Sequence, residues 1–205
     1  REKNKSTKIH VDAVQSYGKV KIDVNSLPVD TLAFSSHKIH GPKGVGGLFV
    51  RSGVRLNSIV FGGGQEKDVR PGTENTGEAC ELVYSEFKEG ANKLNELKKL
   101  YAKRLSEEII DMKINSSMEE DGAPHILSVS FKNVRGEVLL HYLEQKGIYV
   151  STGSACSSRA KGNRILEALK LDREYAGGTI RISLGYFNNA DEVEYVVENI
   201  KHSVN

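Results

Sequence analysis

Cysteine is scarce in this sequence: there are two, Cys80 and Cys156, 76 residues apart. That spacing excludes a disulfide framework and any C-x-x-C metal or redox motif. Charge of one sign is lacking too, with 29 Lys+Arg against 27 Asp+Glu and a net charge of +2. Such a balance gives no electrostatic drive toward nucleic acid or an acidic membrane surface. No run approaches the ~18 apolar residues of a membrane-spanning helix. The first ten residues are polar and basic with no apolar stretch behind them, so no secretory signal is visible. There is no internal repeat and no low-complexity segment. The expectation is a soluble cytoplasmic chain of one domain or two small ones. At 205 residues it can bury roughly 70% of its unfolded surface without staples.

Short strands are predicted at 8–14, 29–35 and 45–51, separated by turn glycines and a proline. The first two are near-continuous apolar runs, the pattern of strands buried on both faces of an α/β sheet. A helix is expected over about 75–87. Gly90 then marks a change of texture. From 91 to 110 the residues Leu94, Leu97, Tyr101, Leu105 and Ile109 recur at three and four, one face of a helix. Lys93 to Arg104 reads as its solvated face. HILSVSF (125–131) and TIRISL (179–184) alternate like half-buried strands and are expected in one antiparallel sheet. A helix over 137–146 closes at Gly147, followed by a short strand at 148–151. Asn189 and Glu192 have capping-box spacing ahead of a last helix with Val193, Val196, Val197, Ile200 and Val204. The first ~90 residues hold more buried-type strands than helices to cover them, as though further chain belonged in front.

Three stretches bear on chemistry. SSHKIHGPKG (35–44) places Lys38 just past a buried-type strand, after two hydroxyls and a histidine. HVDAVQSYG (10–18) places Asp12 at the end of another strand, where its charge needs a partner. STGSACSS (151–158) surrounds Cys156 with small polar residues on an expected loop, whereas Cys80 shares a helical face with Val83 and Phe87 and reads as a packed thiol. Thiolate is the reactive form, and exposure favours it. Taken singly, each stretch has a plain reading: Lys38 a solvated strand end, Gln15 a surface glutamine, His37 a packed histidine, Thr73 a turn threonine, Arg181 a surface arginine. GPKGVGG is not a phosphate loop, because no Ser or Thr follows Lys43. No metal site is expected: His37 and His40 lack a helix and a carboxylate at zinc spacing.

Five blocks in order, HVDAVQSYGK, FSSHKIHGPKGVGGLFVR, GGGQEKDVRPGTEN, STGSACSS and TIRISLGYFN, resemble those of the cysteine desulfurases. These belong to the class V aminotransferases, fold type I pyridoxal-phosphate enzymes. The resemblance is to their C-terminal half. It implies an α/β fold: the tail of a mostly parallel cofactor-binding domain over 1–90, then a smaller α+β domain over 91–205 that carries the catalytic cysteine loop. It implies Lys38 as the Schiff-base lysine, whose amine suits the task when its proton is easily lost. Asp12 matches the carboxylate paired with the pyridinium nitrogen, and Gln15 a donor to the cofactor's phenolic oxygen. Ser35 and His37 match phosphate contacts. Thr73 matches a residue reaching the partner subunit's phosphate, which implies a homodimer. Cys156 matches the sulfur-accepting nucleophile and Arg181 the clamp on the substrate carboxylate.

The implied reaction takes sulfur from L-cysteine, giving alanine and a persulfide on Cys156. Arg159, Lys161 and Arg164 then suggest an acidic acceptor surface, such as an iron–sulfur scaffold or a tRNA-thiolation protein. A selenocysteine lyase, another class V enzyme, or a non-catalytic segment that only dimerises or docks a partner are the alternatives. The family's ring-stacking histidine and phosphate-binding helix N-terminus lie in its other half, so the 205 residues alone are expected to hold an incomplete cofactor site without turnover.

Overall fold

A computed structural model describes residues 3–73, 79–119, 122–152 and 168–204, with backbone only for 79–89. The chain forms two compact units, Arg1–Lys88 and Glu89–Asn205. In the first, β1 (His10–Asp12), β2 (Thr31–Ser35) and β3 (Gly46–Val50) form a sheet in that order. β1 is parallel to β2, and β3 is antiparallel to it. The sheet is therefore mixed. The expectation of two strands buried on both faces does not hold within this unit: Leu32 is buried, but His10 and Asp12 are exposed. Among the described residues β1 pairs on one side only, with β2. Arg51 closes the unit, donating to the carbonyls of Val29, Val24 and Leu27 at 2.6, 2.5 and 2.8 Å and holding the loop that enters β2.

One helix, α1 (Ala79–Glu108), takes the place of the two expected on either side of Gly90. Gly90 interrupts the sequence pattern without breaking the helix. Its role is packing, since a Cβ there would stand 2.2 Å from the Tyr186 ring. Beyond it the helical stripe behaves as its spacing predicts: Leu94, Leu97, Tyr101 and Leu105 are buried, and Ile109 just past the helix is buried too. Each such side chain contributes about 1.5–3 kcal/mol by leaving water.

The stripe packs in a core with a second sheet of order β4 (Met112–Ile114), β5 (Ile126–Phe131), β6 (Thr179–Ser183). β5 and β6 are antiparallel neighbours, as their alternation suggests. Leu127, Val129 and Phe131 of β5 and Ile180 of β6 are all 0–1% exposed. β4, three residues without turn signals, is not legible in the sequence. Helix α2 (Gly136–Gln145) ends as expected at Gly147, φ +74°, whose N–H meets Glu144 O at 3.0 Å while that of Ile148 reaches Leu143 O at 2.9 Å. The strand expected at 148–151 reduces to a single bridge at Ser151. After a helical turn, α3 (Arg173–Ala176), the final helix α4 (Asp191–Val204) buries Val193, Val197 and Ile200. Its capping box is replaced: Asn189 Oδ1 accepts from the Asp191 N–H, and Glu192 accepts from the Asn188 side chain.

The helix face that reads as solvated contains one exception. Lys98 is 1% exposed, and its ammonium donates to the carbonyls of Ser117 and Ala123 at 2.6 and 2.9 Å. It thereby ties Ser117 and Ala123 to α1. Burial lowers its pKa from the ordinary 10.5. Between that lowered value and 10.5 the unfolded chain binds more protons than the folded one. Lys98 therefore adds stability as pH rises through that window, and the gain is lost as pH falls through the folded value. Lys98→Met should cost about 1–3 kcal/mol at neutral pH through the two carbonyls left without this donor. It should also flatten the alkaline rise in stability. Urea unfolding at a series of pH values measures both, and a slope identical to the parent's would contradict the assignment.

Candidate functional site

Because β1 and β2 run parallel in the register His10↔Thr31 to Asp12↔Ala33, the chain leaves both at the same end of the sheet. The carboxyl ends of adjacent parallel strands are where open α/β sheets hold ligands. Asp12 is the last residue of β1, exposed, with Oδ1 accepting from the Val14 N–H at 3.0 Å. The turn that follows is pinned by Ala13, fully buried, whose N–H donates to Ala33 O at 2.8 Å. Its carbonyl accepts from the N–H groups of Ser16 and Tyr17 at 3.0 and 2.7 Å. The Tyr17 ring then stacks on Phe34 of β2, centroids 4.0 Å apart and planes within 10°. Gln15 sits exposed in this turn.

After β2 the chain makes one 3₁₀ turn, Ser36–Ile39. With three residues per turn, positions i and i+3 fall on one side. Ser36 and Ile39 are buried accordingly, and His37 and Lys38 face out. Ser36 Oγ lies against the carbonyls of Pro42 and Val45, the latter at 3.0 Å, and its backbone N–H also reaches Val45 O at 3.1 Å. A buried hydroxyl thus anchors the turn that displays Lys38. Ser35 Oγ and His37 Nδ1 are 2.8 Å apart. His37 is exposed, not packed. The sheet end brings together Asp12, Gln15, Ser35, His37 and Lys38.

Lys19 also belongs to this end, and the sequence reading passed over it. It follows Gly18, φ +72°, and its N–H donates to Ser16 O at 3.0 Å. Its half-buried amine has a pKa lowered by burial first and by the charge of Lys38 second. The only signal in the sequence is a lysine directly after the turn glycine.

Thr73 is not brought to this group. It is exposed, and its carbonyl accepts from Arg70 at 3.3 Å beside Gly72, φ +103°. Arg181 belongs to the second unit, on β6. Ile180 and Ile182 point into the core while Arg181 is half-buried on the opposite face, as the alternation predicts. Its Nε is buried without a hydrogen-bond partner among the described residues. Buried donors are normally satisfied, so this one suits an anionic ligand. Its backbone forms two hydrogen bonds with Ser151, at 3.1 and 2.6 Å. The first residue of STGSACSS is therefore fastened to the candidate carboxylate clamp. Cys156 lies outside the described residues.

The sequence profile Aminotransferase class-V matches residues 1–196. Among curated proteins, the chain is 38% identical over 204 residues to the cysteine desulfurase IscS of Clostridium botulinum, spanning 96% of this chain and 51% of that one. It is 41% identical to the cysteine desulfurase IscS of Proteus mirabilis, spanning 95% and 50%. The chain thus spans about half the length of the curated relatives it matches. Among solved structures, a NifS-like protein superposes with a TM-score of 0.81 at 38% identity, over 98% of this chain and 53% of that one. A structure described as SspA in complex with cysteine superposes with a TM-score of 0.63 at 27% identity, over 89% and 51%. With the profile matched almost end to end and the fold shared, the chain belongs to the aminotransferase class V family.

Proposed function

We propose that the protein containing this chain is a pyridoxal-phosphate-dependent cysteine desulfurase. The observation that carries the reading is the pairing of an exposed carboxylate, Asp12, with an exposed amine, Lys38, at the ends of two adjacent parallel strands, neither in an ion pair among the described residues. That donor set fits the cofactor: an anion for the ring nitrogen, an amine for the aldehyde, and hydroxyl and imidazole groups of Ser35 and His37 for the phosphate. Pyridoxal phosphate, when bound, supplies a reactive carbonyl and a protonated ring that takes up electrons.

The chain's own groups divide the remaining work. Asp12 would hold the ring proton, Gln15 would donate to the phenolic oxygen, and Lys38 would bind the carbonyl and move the proton on the substrate Cα. Arg181, whose Nε has no hydrogen-bond partner among the described residues, orients the substrate carboxylate, and Ser151, five residues before Cys156 in the sequence, is bridged to it. Cys156 takes the sulfur: the substrate C–S bond breaks, an S–S bond forms, and the proton passes to carbon. L-cysteine and a thiol thus become alanine and a persulfide. The relatives named cysteine desulfurase and the neighbour solved with cysteine support this substrate. Thr73 serves the second active site of a homodimer, and the basic residues Arg159, Lys161 and Arg164 favour an acidic sulfur acceptor.

The test is to give the cofactor-loaded protein L-cysteine and quantify alanine and persulfide together. Equal amounts are expected, with the persulfide mapped to Cys156. Cys156→Ser should keep the cofactor adduct and lose turnover with cysteine. Undiminished alanine release by Cys156→Ser, or turnover of selenocysteine alone, would replace this reading by that of a lyase.

A further inference from the structure

We propose that Ser128 is a second contact for the substrate carboxylate: its hydroxyl and the Arg181 side chain are cross-strand neighbours on one face of the second sheet, and together they offer donors to one acidic group. The inference rests on the reading of Arg181 as the carboxylate clamp.

Strand register places the two residues. β5 and β6 pair antiparallel with Ser128 opposite Arg181, between the pairs Leu127↔Ile182 and Val129↔Ile180. Those four apolar side chains are buried in the core, so Ser128 and Arg181 both stand on the other face, half-buried. Directly opposed residues of antiparallel strands have Cβ atoms about 4.5–5.5 Å apart. Asn115, Ser130 and Thr179 make the neighbouring part of that face polar.

The hydrogen bonds of these residues run in one direction, and counting protons shows where they end. Thr179 Oγ1 lies 3.2 Å from Ala176 O, a carbonyl that only accepts, so the single hydroxyl proton of Thr179 goes there. Ser130 must then be the donor in the 2.7 Å contact between Ser130 Oγ and Thr179 Oγ1. Ser130 in turn accepts from Asn115 Nδ2 at 2.7 Å, and the same amide donates to Ser128 Oγ at 3.3 Å. The Ser128 backbone is engaged as well. Its N–H donates to Ser116 Oγ at 2.8 Å, and its carbonyl accepts from the Asn115 N–H at 2.8 Å. The Ser128 hydroxyl proton is left over, with no acceptor among the described residues. Across the strand, the buried Nε–H of Arg181 is in the same condition. A guanidinium has donors and no acceptor, so it cannot take the Ser128 proton. Adjacent donors without acceptors fit a group that only accepts, and an ionised carboxylate is such a group.

The experiment is a calorimetric titration of the cofactor-loaded protein with 3-mercaptopropionate, which carries the carboxylate and thiol of the substrate but no amine. Binding of this acid is measurable whether or not alanine is ever released, so the outcome is separable from that of the desulfurase reading. Ser128→Ala should weaken the acid about tenfold, the effect of losing one hydrogen bond to a charged group. It should leave the affinity for the neutral amide, 3-mercaptopropionamide, at the parent value. Ser128→Thr, which keeps the hydroxyl at a strand position suited to a branched residue, should bind the acid as the parent does. Ser130→Ala is the control: it breaks the same network at a hydroxyl whose proton Thr179 already accepts, and should leave the acid affinity unchanged. Equal weakening of acid and amide by Ser128→Ala, or equal weakening of the acid by Ser128→Ala and Ser130→Ala, would reduce Ser128 to a packing role. An acid affinity unmoved by Ser128→Ala, or a parent that binds the acid no better than the amide, would overturn the proposal. Should Ser128→Ala fail to fold, Ser128→Cys, a weaker donor of similar size, should weaken the acid alone, and an unchanged affinity there would be equally decisive.

Discussion

Lys38→Ala will leave the cofactor-loaded protein without a borohydride-reducible adduct and will lower turnover of cysteine about 10⁴-fold, the upper range for loss of a positioned proton-transfer group. The expected loss is large because, on the proposed reading, one amine would serve two purposes: binding the aldehyde and moving the Cα proton. The effect cannot be attributed to folding. Lys38 is exposed on the outer side of the Ser36–Ile39 turn, and the turn is anchored by Ser36 and Ile39. A substitution at such a place should change stability by no more than about 0.5 kcal/mol. Reduction of the loaded protein followed by peptide mapping locates the adduct in the parent, and thermal unfolding of the variant checks its fold. An adduct that persists in Lys38→Ala, at Lys19 or Lys43 for instance, would show that the wrong amine has been chosen.

Gly178→Ala will destabilise the second unit by about 3 kcal/mol and lower its melting temperature by roughly 10 °C. A Cβ at Gly178 would stand 2.1 Å from the carbonyl oxygen of Phe131 and 3.0 Å from that of Val134. Both obstacles are backbone, so no rotamer change relieves them. Relief requires moving the start of β6 away from β5, and the Phe131 N–H that donates to Gly178 O at 3.1 Å would go with it. The neighbouring glycine is the control. Gly177 lies at φ −69°, ψ −23°, and its added Cβ would meet nothing nearer than 3.7 Å. Gly177→Ala should therefore unfold within about 0.5 kcal/mol of the parent. Equal melting temperatures for the two variants would refute the packing argument. Arg181 lies three residues beyond Gly178, on the strand that begins next to it, so on the proposed reading Gly178→Ala should also weaken cysteine binding, while a mutation in the first unit's sheet should not act by this route.

The sequence by itself determined most of the periodic elements and, through the order of its blocks, the family resemblance. Alternation in HILSVSF and TIRISL placed Leu127, Val129, Ile180 and Ile182 inward and Arg181 opposite, since a strand has only two faces and one of them was apolar. The stripe from Leu94 to Ile109 was legible for the same reason at a helical period. SSHK and HVDAVQ singled out Lys38 and Asp12 through the resemblance those blocks carry, and their proposed roles rest on it.

Tertiary structure decided what depends on neighbours distant in the chain. Gly90 reads as a break, yet α1 continues through it, because the Tyr186 ring fills the space a side chain would take. Lys98 belongs by spacing to a solvated face, yet the carbonyls of Ser117 and Ala123 draw it inside. The pairing of β1 with β2 brings Asp12 and Lys38 to one end of a sheet. The Tyr17–Phe34 stack holds the turn after β1 against β2. None of these follows from local pattern, since each requires a partner that only folding supplies.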